Sequence, residues 1–232
     1  MSVMPVIEFR DVHKSFGTHQ VLKGVSVDVT PGTVHFIMGK SGAGKSVLTR
    51  QVIGLLRPDS GQVLVDGQDV SNFDEKAFMP VREKCQMIFQ HATLFESMTV
   101  LENIAMPLRK RFALKEPAAK LKAEHALSQV HIVEGLERMP AQLGAGVKKR
   151  VAIARAIINQ PALLLADEPT GALDSRTTDD VLNLFDALHD QGITLVLVTH
   201  EDDVAARAER VAHFRDGRVE RWDGRAHESK PT

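Results

Sequence analysis

The chain has 232 residues, of which 43% are hydrophobic, so it can bury a substantial core as one domain or as one domain with an inserted lobe. Its 29 Lys and Arg residues nearly balance 30 Asp and Glu residues, so its charge gives no reason to expect nucleic acid as a partner. Cys85 is the only cysteine, which excludes an internal disulfide and fits a reducing cytosol.

Membrane-targeting and membrane-spanning segments are not expected. The N-terminus has no basic region followed by a long apolar stretch, so a signal peptide is not predicted. The densest apolar runs, 162–166 and 193–198, have the length of strands and not of a helix that crosses a bilayer. We therefore expect a chain that does not cross a membrane by itself.

Short β-like runs punctuated by turn signals occupy the first seventy residues. Pro31-Gly32, Asp59-Ser60-Gly61 and Asp66-Gly67 have the residue types that turns favour. These signals predict a portion rich in β-structure near the N-terminus. The predicted strands cover residues 6–9, 21–29, 34–38 and 62–65.

A glycine-rich octapeptide lies between the predicted strand at 34–38 and a helix-like stretch at 47–56. Glycines let the backbone curl so that several N–H groups face one anion, and the positive end of the helix dipole adds to the attraction. Lys45 is then expected to reach the β and γ phosphates of a nucleotide, and the Ser46 hydroxyl to hold Mg2+. The predicted phosphate-binding residues are Gly39, Lys40, Ser41, Gly42, Ala43, Gly44, Lys45, Ser46 and Val47.

Residues 71–150 favour helices. Strand signals fade after 87–89, and 115–130 has a helix-forming composition with Pro117 near its start. A mostly helical lobe is therefore predicted here. We interpret the basic triplet Lys148-Lys149-Arg150 as a solvated helix face and not as a patch for a nucleic-acid backbone.

From residue 151 onward, apolar runs alternate with a helical pattern. Strand-like runs at 163–166 and 193–198 flank a helix whose apolar face is formed by Val181, Leu184, Phe185 and Leu188. This βαβ alternation predicts a parallel sheet. The last residues, 225–232, are predicted to form a polar tail.

Two carboxylates, Asp167 and Glu168, end the apolar run 162–166. Ligands of open α/β sheets bind at the carboxyl ends of the strands, so the pair is expected beside the phosphate loop. Asp167 suits Mg2+, directly or through water, and Glu168 suits a general base that polarises the attacking water. The sequence thus predicts the hydrolysis of a nucleoside triphosphate.

With these residues in this order, the chain resembles the ATP-binding subunits of ABC transporters over nearly its whole length. The resemblance implies that Phe16 stacks on adenine and that Gln90 senses Mg2+ and water at the join to the helical lobe. It also implies that the loop 171–174 touches an opposite subunit and that His200 contacts the γ phosphate. ATP and Mg2+ are the expected ligands.

The resemblance implies an α/β fold of the P-loop NTPase class, with a RecA-like core and an antiparallel β portion near the N-terminus. A single ATPase domain is expected over 1–224, with a helical subdomain at about 91–155 inserted in the core. Two copies, or this chain and a paralogue, are expected to enclose two Mg-ATP molecules head to tail. A separate membrane permease is the expected partner, and the chain is expected in the cytoplasm, on the inner face of the cell membrane.

The family signature, Leu-Ser-Gly-Gly-Gln, aligns with a segment that departs from it, Leu143-Gly144-Ala145-Gly146-Val147. In the family this segment caps the γ phosphate of the partner's nucleotide, and its serine is a main contact. Gly144 has no hydroxyl, although backbone N–H groups, including that of Gly146, remain at the helix start. We expect a slow ATPase or one half of an asymmetric pair.

Two subgroups of the family share segments with the chain. Residues 45–48, 52–61 and 90–109 resemble the ATPases of Mla/Mce phospholipid-trafficking systems, whereas 161–175 and 196–219 resemble lipoprotein-release and macrolide-export ATPases. The first resemblance favours lipid trafficking, because residues after Gln90 meet the membrane partner in the family. The alternatives are a lipoprotein-release or macrolide-type export ATPase, and a clamp that dimerises on ATP, hydrolyses it weakly and drives no transport.

Overall fold

The computed structural model describes residues 4–224, and the predicted polar tail at 225–232 lies outside them. Within the described residues, no helix is both long and apolar enough to span a bilayer. The strands are β1 (Ile7–Phe16), β2 (His19–Val29), β3 (Val34–Gly39), β4 (Ser60–Val65), β5 (Gln68–Asp69), β6 (Cys85–Ile88), β7 (Leu163–Asp167), β8 (Thr194–Thr199), β9 (Arg210–Arg215) and β10 (Arg218–Gly224). The α-helices are α1 (Lys45–Val52), α2 (Glu75–Lys84), α3 (Val100–Phe112), α4 (Glu116–Gln129), α5 (Ala145–Ile157), α6 (Ser175–Asp190) and α7 (Asp202–Ala205).

The first sheet is antiparallel and has the strand order β2-β1-β4-β5. Strand β1 is longer than the predicted run at 6–9, because it continues to Phe16 through register shifts around Asp11. Asp11 itself has a left-handed φ of 49°, which locally bends the strand. Apolar residues such as Val12 and Leu22 face the core between this sheet and α1.

The second sheet has the order β10-β9-β3-β8-β7-β6, and every neighbouring pair from β9 to β6 is parallel. This arrangement confirms the parallel sheet predicted from the βαβ alternation. Strands β7 and β8 are fully buried, as strands covered on both faces must be. Because the strands run in one direction, the carboxyl ends of β3, β6, β7 and β8 lie at the same edge of the sheet.

Helices α3, α4 and α5 lie in the chain between β6 and β7 and pack on one another around Ile104, Leu127 and Ile153. Helix α3 begins with a capping box, in which Thr99 and Glu102 satisfy each other's backbone N–H groups. Helix α4, at Glu116–Gln129, agrees with the helix predicted at 115–130.

Helix α1 ends earlier than the predicted stretch 47–56, at Val52. The cause is Gly54, whose φ of 71° is a left-handed conformation that cannot continue a helix. Leu55 N–H then donates back to the Arg50 carbonyl at 3.0 Å and closes the helix end. At its other end, the helix begins at Lys45, directly after the glycines of the phosphate loop.

Candidate active site

The loop between β3 and α1 depends on glycine for its conformation. Gly42 and Gly44 have φ angles of 80° and 102°, which side chains rarely adopt. A Cβ on Gly44 would lie 2.8 Å from Leu22 Cδ2 and 3.1 Å from the Val21 carbonyl oxygen. A Cβ on Gly39 would lie 2.3 Å from the Phe214 carbonyl oxygen. At Gly39 and Gly44 the packed β-strands therefore leave room for backbone alone, whereas Gly42 has open space and depends on glycine only for its φ.

Lys45, the first residue of α1, is buried beneath the loop. Its Nζ donates to the carbonyl oxygens of Gly39 at 2.6 Å and Lys40 at 3.1 Å. The same nitrogen lies 3.6 Å from Glu168 Oε1. The ammonium thus lies between the loop and the carboxylate, where the arrangement can attract a phosphate group.

The remaining predicted loop residues differ in exposure. Ser41 is exposed, Ala43 is buried and Val47 is half-buried.

Asp167 ends β7 in a buried position next to the start of α1. Its Oδ1 accepts a hydrogen bond from Ser46 Oγ at 2.6 Å, and its Oδ2 accepts one from Arg50 at 3.2 Å. A hydroxyl and a carboxylate side by side are hard oxygen donors, the type that Mg2+ prefers. The donor set therefore fits the expected Mg2+, with Ser46 and Asp167 in reach of one ion.

Glu168 presents its carboxylate between two cationic or proton-bearing groups. Its Oε2 lies 2.9 Å from His200 Nδ1, and its Oε1 faces Lys45. His200 follows β8, the strand that pairs with β7, so the parallel register brings the two side chains together. Glu168 has a left-handed φ of 48°, a strained conformation of the kind found at functional sites.

Gln90 follows β6 at the same edge of the sheet. Its Nε2 lies 3.7 Å from the position that a Cβ on Gly171 would occupy. The Gln90 side chain therefore lies beside the 168–171 turn, which begins at Glu168.

Lys149 was not among the predicted site residues, yet its ammonium lies at this edge. The predicted solvated face at 148–150 is wrong for Lys149, whose side chain is only 4% exposed. Burial lowers its pKa to about 8, with the carboxylates of Asp167 and Glu168 acting in the opposite direction. The helical spacing 149, 152, 153 and 156 marks one buried face of α5, so periodicity was the signal that could have located it.

Helix α5 begins directly after Gly144, whose φ of −68° is an ordinary extended conformation. Among residues 4–224, nothing lies within 4 Å of the Cβ that another residue would have there. Gly146 is different, because its Cβ would lie 2.3 Å from Thr177 Cγ2 on α6. The start of α5 therefore lies against α6 and the 172–174 loop.

Phe16 ends β1; the residue is 48% exposed, and Lys14 Nζ lies 5.6 Å from its ring centroid. The neighbouring strand β2 contacts the phosphate loop, since Val21 and Leu22 border Gly44. An accessible aromatic face close to the loop is compatible with stacking on a nucleotide base.

The parallel sheet, the glycine loop and the carboxylate pair together define a P-loop nucleotide-binding domain. A family model described as "ABC transporter" matches residues 22–171, and the chain belongs to that family. The predicted fold class, an ABC-type P-loop ATPase domain, is thereby confirmed.

Several relatives are methionine import ATP-binding proteins named MetN. The protein from Brucella abortus (strain 2308) is 43% identical over 209 residues, which cover 89% of this chain and 56% of the relative. The protein from Caulobacter vibrioides is 44% identical over 220 residues, covering 92% of this chain and 65% of the relative. This chain thus spans about half to two thirds of their length.

Solved structures share the whole architecture. The ATP-binding cassette MJ0796, solved as a dimer in a post-hydrolysis state with ADP and Pi, is 34% identical with a TM-score of 0.87; the match covers 94% of this chain and 98% of that one. CbiO1 from Clostridium perfringens, part of the transporter complex cbiONQ, is 27% identical with a TM-score of 0.86, covering 95% and 88% of the two chains. The named relatives do not support the expected likeness to lipid-trafficking and lipoprotein-release ATPases.

Proposed function

We propose that this chain is the ATP-binding and ATP-hydrolysing subunit of an ABC transporter. The observation that carries the proposal is the position of the Glu168 carboxylate, with one oxygen 3.6 Å from Lys45 Nζ and the other 2.9 Å from His200 Nδ1. A phosphate-binding lysine, a base and a histidine thus converge at one point, as phosphoryl transfer to water requires.

Binding relies on the loop and on the start of α1. Backbone N–H groups of residues 42–46 and the Lys45 ammonium would hold the triphosphate, while Phe16 would stack on the base. Ser46 and Asp167, with Gln90 nearby, would hold Mg2+. When bound, Mg2+ neutralises negative charge on the β and γ oxygens.

Hydrolysis requires a base next to the attacking water. We assign that role to Glu168, which would accept the water's proton while His200 holds the carboxylate in place and contacts the γ phosphate. Removing the negative charge of Glu168 should therefore abolish turnover without weakening ATP binding, because Lys45 and the loop remain.

The signature loop at Gly144 belongs to a composite site in our proposal. The relative MJ0796 forms a dimer, and we propose that two copies of this chain, or this chain and a paralogue, pair in the same way. The missing serine hydroxyl would lower the rate by roughly ten- to a hundredfold, the effect of losing one hydrogen bond to a charged group. Both composite sites of a homodimer would carry that defect.

Transport requires a membrane permease, which we propose as the partner that holds this chain at the inner face of the cell membrane. We propose residues 1–224 as one ATPase domain, with a helical subdomain at about 91–155 that carries the contact to the permease. Relatives named for methionine import make import of an amino acid the first substrate class to test. Phospholipid trafficking, expected from 45–48, 52–61 and 90–109, is the second.

A non-transporting clamp is the competing function, and Gly144 is the observation that favours it. ATP turnover that rises when a reconstituted permease and methionine are added would support import. A rise with phospholipid alone would support lipid trafficking. Tight ATP-dependent dimerisation with no turnover in all of these conditions would support the clamp and contradict the proposed transporter subunit.

The direct test compares Glu168→Gln with the wild type in ATP turnover and in binding of a fluorescent ATP analogue. We expect turnover to fall by about a hundredfold or more, the usual contribution of a general base, with affinity changed less than about threefold. Glu137→Gln, an exposed glutamate outside the site, is the matched control. Equal turnover in Glu168→Gln and wild type would contradict the assignment.

A further inference from the structure

Three backbone carbonyl oxygens converge on the buried ammonium of Lys149. Its Nζ donates to Phe89 O at 3.2 Å and to Glu168 O at 3.4 Å, and it makes a short hydrogen bond to Gln90 O. An ammonium has three donors, and here each donor has a carbonyl partner. The three carbonyls belong to two different loops, one after β6 and one after β7, while Lys149 belongs to α5.

The loop after β7 needs such support. Glu168 adopts a left-handed φ of 48°, and a strained backbone persists only where its surroundings hold it. Its N–H donates to Val198 O at 2.9 Å, and its carbonyl accepts from Gly171 N–H at 3.1 Å as well as from Lys149. Lys149 is the only one of these three partners that comes from a helix outside the sheet edge.

The loop after β6 is held by the same helix at a second point. Arg155 of α5 donates to the carbonyl oxygens of Thr93 at 3.0 Å and Ala92 at 3.4 Å. Lys149 and Arg155 therefore fix residues 89–93 to α5 from two sides. Only Lys149 extends the connection to Glu168.

We propose that Lys149 is a positioning residue that ties the signature helix α5 to the backbones presenting Gln90 and Glu168. Because its three donors face backbone carbonyl oxygens, we assign it no contact to the nucleotide. It acts by fixing the positions of the two backbones relative to each other. This inference rests on the proposed hydrolysis at Glu168 and adds a connection between the start of α5 and the base.

The test replaces Lys149 with methionine, which keeps the length but removes the donors and the charge. We expect kcat to fall by about tenfold or more, as the loss of buried hydrogen bonds to the catalytic backbone implies, with the Kd for a fluorescent ATP analogue changed less than about threefold. Hydrogen–deuterium exchange should quicken in both 89–93 and 168–173. Lys149→Gln, with two amide donors, should recover part of the turnover and of the protection.

Lys120→Met, a solvent-facing lysine on α4, is the matched control and should behave as wild type. Unchanged kcat in Lys149→Met, or unchanged exchange in both segments, overturns the inference. A loss of turnover that comes from weaker nucleotide binding overturns it as well. If Lys149→Met does not fold, Lys149→Gln is judged against wild type by the same criteria of kcat, Kd and exchange.

The proposed function fails in a different way. If the wild type turns over no ATP and Glu168→Gln equals it, hydrolysis itself is contradicted. If the wild type is active and Glu168→Gln is not, while Lys149→Met equals the wild type, only the role of Lys149 is contradicted.

Discussion

Two helices of this chain, α1 and α5, begin after a glycine, and the two glycines are required to very different degrees. Gly44 has a φ of 102° and is buried against Val21 and Leu22, so only glycine fits. Gly144 has a φ of −68° and, within residues 4–224, open space where a side chain would point. The backbone demands the first glycine and merely tolerates the second.

The difference follows from where each helix start finds its binding partners. At the start of α1, the partners belong to the same chain: Ser46 donates to Asp167, and the Lys45 ammonium lies beside Glu168. The start of α5 contacts α6 through Gly146 and Thr177 and leaves Gly144 open. In our proposal the open position faces a second subunit, so its residue tunes the rate and does not hold the fold.

The largest expected effect comes from alanine at the two glycines. Gly44→Ala combines a strained left-handed φ with a clash against Val21 and Leu22, and we expect ATP affinity to fall by roughly ten- to a hundredfold. Gly144→Ala is the matched control and should bind ATP like the wild type. Titration with a fluorescent ATP analogue measures both. Equal losses in the two variants would abolish the contrast between the helix starts.

A smaller gain is expected from restoring the family's serine. Gly144→Ser fits the open space and supplies a hydroxyl for the partner's γ phosphate, so kcat should rise about tenfold. Steady-state ATP turnover checks this, with Gly144→Ala as the control that adds bulk without a hydroxyl. If serine brings no gain over alanine, the lost contact does not limit the rate.

Gly146 should behave like Gly44 in packing, although it lies on α5. Its Cβ would meet Thr177 Cγ2 at 2.3 Å, and the Thr177 hydroxyl is held by a 2.8 Å hydrogen bond to Asp174. Gly146→Ala should therefore lower the free energy of unfolding by about 1–2 kcal/mol, as overpacking does. Thr177→Ser removes the clashing methyl. The double variant Gly146→Ala/Thr177→Ser should therefore recover the lost free energy of unfolding, which urea titrations measure. A double variant as unstable as Gly146→Ala would contradict this packing.

The strand beneath the phosphate loop also adds a pH dependence to stability. Burial, with the nearby charge of Arg210, lowers the pKa of His35 to about 4. The unfolded chain therefore binds more protons between pH 6.5 and 4, so this stabilisation is present above pH 6.5 and is lost as the pH falls. Between pH 7.5 and 5.5 the loss should be about 1 kcal/mol.

His35→Gln should flatten the dependence of the free energy of unfolding on pH between 7.5 and 5.5. Gly144→Ala, at the start of α5, should leave that dependence unchanged. Urea unfolding at pH 7.5 and 5.5 measures the difference. A profile as steep in His35→Gln as in the wild type would assign the acid sensitivity to other groups.

The phosphate loop and the carboxylate pair could be predicted from sequence because each is formed by residues adjacent in the chain. The octapeptide at 39–46 predicts both the loop and the start of the helix that follows it. The uninterrupted apolar run 162–166 predicts the strand that ends at Asp167-Glu168. Their meeting follows from the parallel direction of β3, β7 and β8. The site is thus an outcome of short-range patterns and one topological rule.

Features that depend on tertiary packing were not predicted. Lys149 lies in a basic triplet, and charge pattern alone favours exposure, but the buried face of α5 turns it toward the carbonyls at 89, 90 and 168. The early end of α1 depended on the left-handed conformation of Gly54. Composition gave no signal for the backbone strain at Glu168, which the surrounding hydrogen bonds impose.

The most direct test of the account is a crystal structure of Glu168→Gln grown with Mg-ATP. We predict the γ phosphate against Lys45 Nζ, with Ser46 and Asp167 beside the metal ion and residue 168 facing the phosphate. Nucleotide bound elsewhere, or a phosphate loop that stays empty at saturating ATP, would contradict the central claim.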